Sequence, residues 1–225
     1  MSPYAQCVLR AVFFDFGGVI LSSPFEAFNH YEAAHGLPAD FIRSVNSVNP
    51  DDNAWAKLER SDISPLEFDA VFARESEALG HRVPGADVLS LLHGEIRPDM
   101  VHALDRIKGA GYVMACLTNN VLSDQPVAVD DAERKRQDEL RAVLARFDEV
   151  IESSKVGVRK PEPRFYEIAC AAVNVRPDEC VFLDDLGINL KPAAAMGMQT
   201  IKVANSTQAL TELSQVLGLA SILPR

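Results

Sequence analysis

Four short clusters in this 225-residue chain carry residues able to do chemistry. Asp15 closes the apolar run Ala11-Val12-Phe13-Phe14 and is followed by Gly17-Gly18. Thr118 and Asn119 close the run from Tyr112 to Leu117, Lys160 precedes Pro161, and Asp184-Asp185 close Cys180-Val181-Phe182-Leu183. Singly, each has a plain structural reading as a helix cap, a turn residue or a surface charge. The adjacent carboxylates are harder to dismiss, because near a buried strand end they repel each other unless a cation or basic group offsets them.

Together, in this order, the clusters have one simple account. Phosphoryl transfer through an aspartyl-phosphate needs a carboxylate nucleophile and a divalent cation between nucleophile and phosphate. It also needs hydrogen-bond donors around the phosphoryl oxygens and a fixed positive charge. Asp15 can supply the nucleophile and one metal ligand. The Thr118 hydroxyl and the Asn119 backbone or side-chain N–H can supply donors, and Lys160 the charge. Asp184 and Asp185 can hold the metal, and oxygen ligands of this kind suit magnesium.

The elements that must position these residues follow from the same runs. Ala11–Asp15, Tyr112–Leu117 and Cys180–Leu183 are continuous apolar runs, not alternating ones, which predicts strands buried on both faces of a parallel sheet, and Glu149–Ile151 and Gln199–Val203 are shorter or more polar runs read as two further strands. Helical spacing appears in Pro98–Gly109, Ala132–Phe147, Glu162–Val173 and Leu186–Met196. Strand and helix alternating in this way predict an α/β, doubly wound, Rossmann-like sheet with helices on both faces. The four clusters then gather at or near the carboxyl ends of strands, where such sheets bind ligands. The stretch 22–94 breaks the rhythm. It has no strand run and reads as short helices broken near Gly36-Leu37-Pro38, Asn49 to Asp52 and Ser64-Pro65, with Ser64 and Glu67 at capping-box spacing. It is expected to be an all-helical cap inserted after the first strand, leaving 1–21 and 95–225 as the core.

A net charge of −10 argues against a nucleic-acid backbone or an anionic membrane as partner, and leaves a small phosphorylated molecule open. No apolar segment reaches membrane-helix length. Cys7, Cys116, Cys170 and Cys180 show no CxxC pair, which predicts buried reduced thiols and a cytoplasmic protein.

The order Asp15-Phe16-Gly17-Gly18-Val19, Leu117-Thr118-Asn119-Asn120, Lys160-Pro161-Glu162-Pro163, Phe182-Leu183-Asp184-Asp185 resembles the four motifs of the haloacid dehalogenase superfamily. It is similar in particular to the amino-terminal phosphatase domain of soluble epoxide hydrolases and to the phosphatase-like domains fused to some acyl-CoA dehydrogenases. The stretch Leu183-Asp184-Asp185-Leu186-Gly187-Ile188-Asn189-Leu190-Lys191-Pro192 carries much of the likeness. The resemblance implies a Rossmann-like core, a helical cap and magnesium. It implies that Asp15 is the nucleophile, and that Asp15, Asp185 and the Gly17 carbonyl bind the metal. Thr118 and Asn119 would bind phosphate and Lys160 would balance its charge. Asp184 would support Lys160 or a metal-bound water, with Asn189 in the surroundings of the metal.

One position departs from the pattern. Active phosphatases of the superfamily usually carry a second Asp, the general acid and base, where this chain has Gly17, although some relatives with a similar first motif also carry Gly there. Positioned proton transfer is worth about 10²–10⁴ in rate. An active enzyme is therefore expected to prefer good leaving groups such as acyl, aryl or anomeric phosphates, or to draw an acid from the cap. Glu26 and His30, four residues apart on the first cap helix, are the pair to check, as are Phe25 and Phe28 for a border on the pocket. Two alternatives stand beside the phosphatase. One is a metal- and phosphate-binding module without turnover. The other is a carbon–halogen hydrolase of the 2-haloacid dehalogenase type, which uses the Asp without metal but carries an aromatic at the Gly17 position.

Overall fold

The computed structural model describes residues 8–92, 94–119 and 131–223 of the chain. Its five parallel strands lie in the order β3-β2-β1-β4-β5. They are β1 Ala11–Phe14, β2 Val113–Thr118, β3 Glu149–Glu152, β4 Cys180–Asp184 and β5 Gln199–Lys202. Each falls within one or two residues of its predicted run. β1 is central, and its side chains alternate between two cores. Val12 and Phe14 join one cluster, Ala11 and Phe13 the other, and all four are fully buried. A strand covered on both faces has no solvated positions, which is why its sequence is apolar throughout.

The helices are α1 Phe25–Ala34, α2 Phe41–Ser47, α3 Ala54–Glu59, α4 Pro65–Ala78, α5 Gly85–Ser90, α6 Pro98–Gly109, α7 Asp131–Leu144, α8 Ser153–Val156, α9 Pro163–Ala172, α10 Gly187–Ala195 and α11 Ser206–Leu217. On one face of the sheet α6 contributes Met100, Leu104 and Ile107, α7 contributes Val143, and α11 contributes Leu210 and Leu213. On the other, α9 contributes Phe165 and Tyr166, and α10 contributes Leu190 and Ala193. Burying each such large side chain is worth roughly 1.5–3 kcal/mol. No described helix is long and apolar enough to cross a membrane. Cys116, Cys170 and Cys180 are free and buried, and Cys7 lies outside the described residues.

Helices α1 to α5 build a third core, in which Ile42, Leu58, Phe68 and Phe72 are buried. The chain leaves and returns along paired backbone. Leu21 bridges Ile96 in antiparallel fashion, and Ser22 N–H donates to Glu95 O at 2.8 Å. Entering and leaving side by side lets a long segment interrupt the chain after β1 without disturbing the sheet. Ser64 forms the predicted capping box, accepting from Glu67 N–H at 3.2 Å while the Glu67 carboxylate accepts from Ser64 N–H at 2.8 Å. Ser64→Ala is expected to cost about 1 kcal/mol, read by urea unfolding. A cap without sequence signature supports α2. Buried Glu32 of α1 accepts from Asp40 N–H at 2.8 Å and Ile42 N–H at 2.9 Å.

Candidate active site

β1 and β4 are paired with Phe14 beside Leu183, so the next residues, Asp15 and Asp184, emerge side by side at the carboxyl edge of the sheet. Asp15 N–H donates to Leu183 O at 2.8 Å. The loop after β3 returns Lys160 between the two carboxylates. Its Nζ lies 2.7 Å from Asp15 Oδ1 and 2.9 Å from Asp184 Oδ2, and the side chain is 1% exposed. Asp15 Oδ1 also accepts from Phe16 N–H at 2.6 Å. Fully buried Asp184 accepts in addition from Leu186 N–H at 2.8 Å and from Asn189 Nδ2 at 3.1 and 3.0 Å. Asn189 is held in turn, its carbonyl accepting from Tyr166 Oη at 2.6 Å. Asp185 is less enclosed and takes a long contact from Ser23 Oγ at 3.5 Å.

Asp15, Asp184 and Asp185 each offer an oxygen within 4.8 Å of the others. Three carboxylates around one ammonium leave an excess of negative charge. Burial lifts the Asp15 carboxyl well above its usual range, with Asp184 and Asp185 adding to the rise and Lys160 opposing it. Asp185 is pushed up to about 6, by burial first and then by Asp184. Burial alone would lower the Lys160 ammonium, but Asp15 and Asp184 outweigh it and hold the pKa above the ordinary lysine value. The donors are hard oxygens in a pocket with surplus negative charge, which is the chemistry that suits a divalent cation such as Mg²⁺. Removing the lysine should be costly to the fold. Lys160→Met, which leaves two buried carboxylates without their cation, is expected to destabilise by about 3–5 kcal/mol in urea unfolding.

The profile of the haloacid dehalogenase-like hydrolases matches residues 9–197. The chain belongs to this hydrolase family. Mouse acyl-CoA dehydrogenase family member 10 is 34% identical over 93% of this chain, and mouse bifunctional epoxide hydrolase 2 is 34% identical over 93%. The chain spans only 19% and 39% of those two relatives. The sesquiterpene phosphatase astK of Aspergillus oryzae is 27% identical over 93% of this chain and 97% of its own. Among solved structures, a family enzyme from Bacteroides thetaiotaomicron, in complex with magnesium and inorganic phosphate, superposes with a TM-score of 0.59 at 19% identity. It covers 91% of this chain and 98% of its own. The L-2-haloacid dehalogenase of Xanthobacter autotrophicus gives 0.58 at 19% identity, covering 96% and 85%. These two likenesses are to the shared fold.

The family's first motif makes a tight turn here, and its two glycines differ in kind. Gly18 has φ of 74°, and a Cβ on it would stand 2.2 Å from Asp185 Oδ2, so only glycine lets the two meet. Gly18→Ala is expected to displace Asp185, and to weaken by about 10–100-fold any divalent-cation binding by the three carboxylates, measured by titrating thermal stability with magnesium. Gly17 has φ −69° and ψ 135°, is exposed, and a Cβ on it would meet nothing within 4 Å.

Thr118 ends β2, half-buried, with Glu152 as its partner on β3. The Asn119 side chain is engaged elsewhere than its sequence position suggests. Its Oδ1 accepts from Lys160 N–H at 2.9 Å and its Nδ2 donates to Lys160 O at 3.0 Å, so it clamps the backbone that carries the lysine. Nδ2 also donates to Glu59 Oε2 at 3.2 Å. Glu59 is a residue to which no motif points. It ends α3, is 6% exposed, and accepts from Trp55 Nε1 at 3.0 Å and from Arg159 Nη1 at 2.5 Å. Arg159 further donates to Pro50 O. Burial raises the Glu59 carboxyl from its ordinary value, and Arg159 opposes the rise. The helical segment is thus tied to the lysine loop by buried polar contacts. Of the two residues considered as substitute acids, His30 is exposed on α1, and the Glu26 side chain lies outside the described residues. Phe28 is buried in the helical core, whereas Phe25 lines a groove beside Asp185.

Proposed function

We propose that the chain is a magnesium-dependent phosphohydrolase that cleaves a small organic phosphate monoester through an aspartyl-phosphate on Asp15. The observation that carries this reading is the buried Lys160 ammonium shared by Asp15 and Asp184, with Asp185 close by. Asp15, Asp185 and the Gly17 carbonyl would hold the cation, which when bound supplies positive charge between nucleophile and phosphate. Oδ1 of Asp15 is anchored by Lys160 and Phe16 N–H, which orients the carboxylate so that its other oxygen can attack phosphorus. Lys160 balances the charge of the transferred group, with the Thr118 hydroxyl and the Asn119 backbone N–H as further donors. Asp184, held by Lys160, Asn189 and Leu186 N–H, acts by fixing Lys160. Residues 22–94 form the lid over the site. The phosphatase name of the Aspergillus relative and the magnesium and phosphate of the Bacteroides structure agree with this reading.

Phosphate release from aryl, acyl, sugar and lipid phosphates, with magnesium and with chelator, tests the proposal. Release that chelation reduces to background is expected. Release indifferent to chelator, or none from folded protein, would overturn it. The second outcome would favour the binding-module reading, which the absence of an acid at Gly17 keeps in play. The carbon–halogen reading fits the site less well, since that chemistry uses no metal and this site gathers three carboxylates.

A further inference from the structure

Beside Asp185 opens a groove of about 450 Å³, within the roughly 300–1,000 Å³ usual for small-molecule sites. Its wall includes Ser23, Phe25, Arg43, Arg97, Asp185 and Lys202. Three cations therefore converge on one groove in a chain of net charge −10. They come from separate parts of the fold: Arg43 from α2, Arg97 from the residue before α6, and Lys202 from the end of β5. A local positive field of this kind runs against the charge of the whole molecule and concentrates anions.

Two of the three are prepared for a ligand. The Arg43 guanidinium stands 4.4 Å from the centre of the Phe25 ring, with one nitrogen 3.0 Å from Asp40 Oδ1. It lines the groove beside that ring. Arg97 Nη1 is buried and has no hydrogen-bond partner among the described residues. A buried guanidinium N–H left unsatisfied is costly, and native structures rarely leave one so without a ligand or water to take the bond. Asp185 is the one carboxylate on this wall, and it is already part of the three-carboxylate set. The groove thus begins one side chain away from the nucleophile.

We propose that this groove is an oxyanion subsite for the leaving group, so that preferred substrates are phosphate monoesters whose alcohol carries a second anionic group a few bonds from the ester. This rests on the phosphohydrolase reading and narrows its substrate class. Arg97 supplies its unpartnered Nη1, Arg43 closes over the anion from the helical segment, and Lys202 adds charge from the sheet side. The same contacts suit a good leaving group only by position, not by protonation, so the subsite works with or without an acid at residue 17.

The test compares matched pairs that differ only in the second anion: ethyl phosphate with phosphoglycolate, and propyl phosphate with propane-1,3-diol bisphosphate. The wild type is expected to favour the member with the anionic tail by about 10–100-fold in kcat/KM, chiefly through KM, the range for a charged hydrogen bond. The carboxylate and phosphate pairs show which oxyanion fits. Arg97→Gln and Arg43→Gln, each checked for folding by its Tm, should collapse the ratio toward one. Equal rates within the pairs, or a preference that survives both substitutions, would overturn the subsite. If neither these alkyl esters nor the aryl and acyl phosphates turn over, the phosphohydrolase reading fails separately. Calorimetric titration of phosphonoacetate against methylphosphonate then decides. Tighter phosphonoacetate binding that Arg97→Gln abolishes supports the subsite, and equal binding rejects it.

Discussion

Asp15→Asn is expected to cut phosphate release by on the order of 10⁴–10⁶, the usual consequence of removing a covalent nucleophile. It should do so without unfolding the protein. Lys160 keeps its 2.9 Å contact with Asp184 when Asp15 becomes neutral, so the buried ammonium is not orphaned. One of three mutually repelling carboxylates is removed, and the burial that lifts the Asp15 carboxyl no longer opposes an ionised group. The Tm of Asp15→Asn should therefore equal or exceed that of the wild type. Retained turnover would place the nucleophile elsewhere. Loss of activity together with a large fall in Tm would mean that Asp15 is needed for structure first. The contrast with Lys160→Met, which removes the cation and leaves the anions buried, makes the pair informative: one loses chemistry alone, the other loses stability as well.

Gly17→Asp is expected to raise turnover, and to raise it selectively. The backbone at residue 17 is extended, with φ −69° and ψ 135°, which any L-residue adopts without strain. A Cβ there meets nothing within 4 Å, so a carboxyl group can be added without displacing a neighbour. An acid at this place would protonate a departing alkoxide, which alkyl phosphates need and aryl or acyl phosphates largely do not. The gain should approach about 10²–10⁴ for alkyl phosphates and shrink as the leaving-group pKa falls. A plot of log kcat against leaving-group pKa would be steep for the wild type and flatter for the variant. A gain equal for all leaving groups, or none with the fold intact, would show that proton transfer at this position does not limit the reaction. Gly18 next to it allows no such experiment, because its positive φ and the Asp185 carboxylate exclude a side chain.

Much of the core is legible in the residues alone. Ala11 to Phe14 and Cys180 to Leu183 become strands because a strand covered on both faces must be apolar at every position, and that pattern survives in one dimension. Asp15 and Asp184 are legible for a related reason. A charged residue directly after such a run stands at the end of a strand, and parallel strands place all such ends on one edge. The capping box of Ser64 and Glu67 is local and equally readable. By itself, then, the sequence determined the parallel sheet, the helical character of residues 22–94 and the chemical types gathered at the edge, since each depends on spacing within a few residues.

Tertiary structure alone decided the partners. Lys160 is one charge before a proline until the fold sets it between Asp15 and Asp184, 145 and 24 positions away in the chain. Asn119 suits phosphate by its type, yet its side chain clamps the Lys160 backbone and reaches Glu59 of the helical segment. Glu59 and Arg159, 100 residues apart, are unreadable in sequence because nothing local marks a charge that will be buried against another. Arg43, Arg97 and Lys202 likewise become a cationic groove only when three distant segments converge. Periodicity and strand ends are properties of neighbouring residues. Which charge meets which is set by how the elements pack, because electrostatic pairing and desolvation act through space and not along the chain.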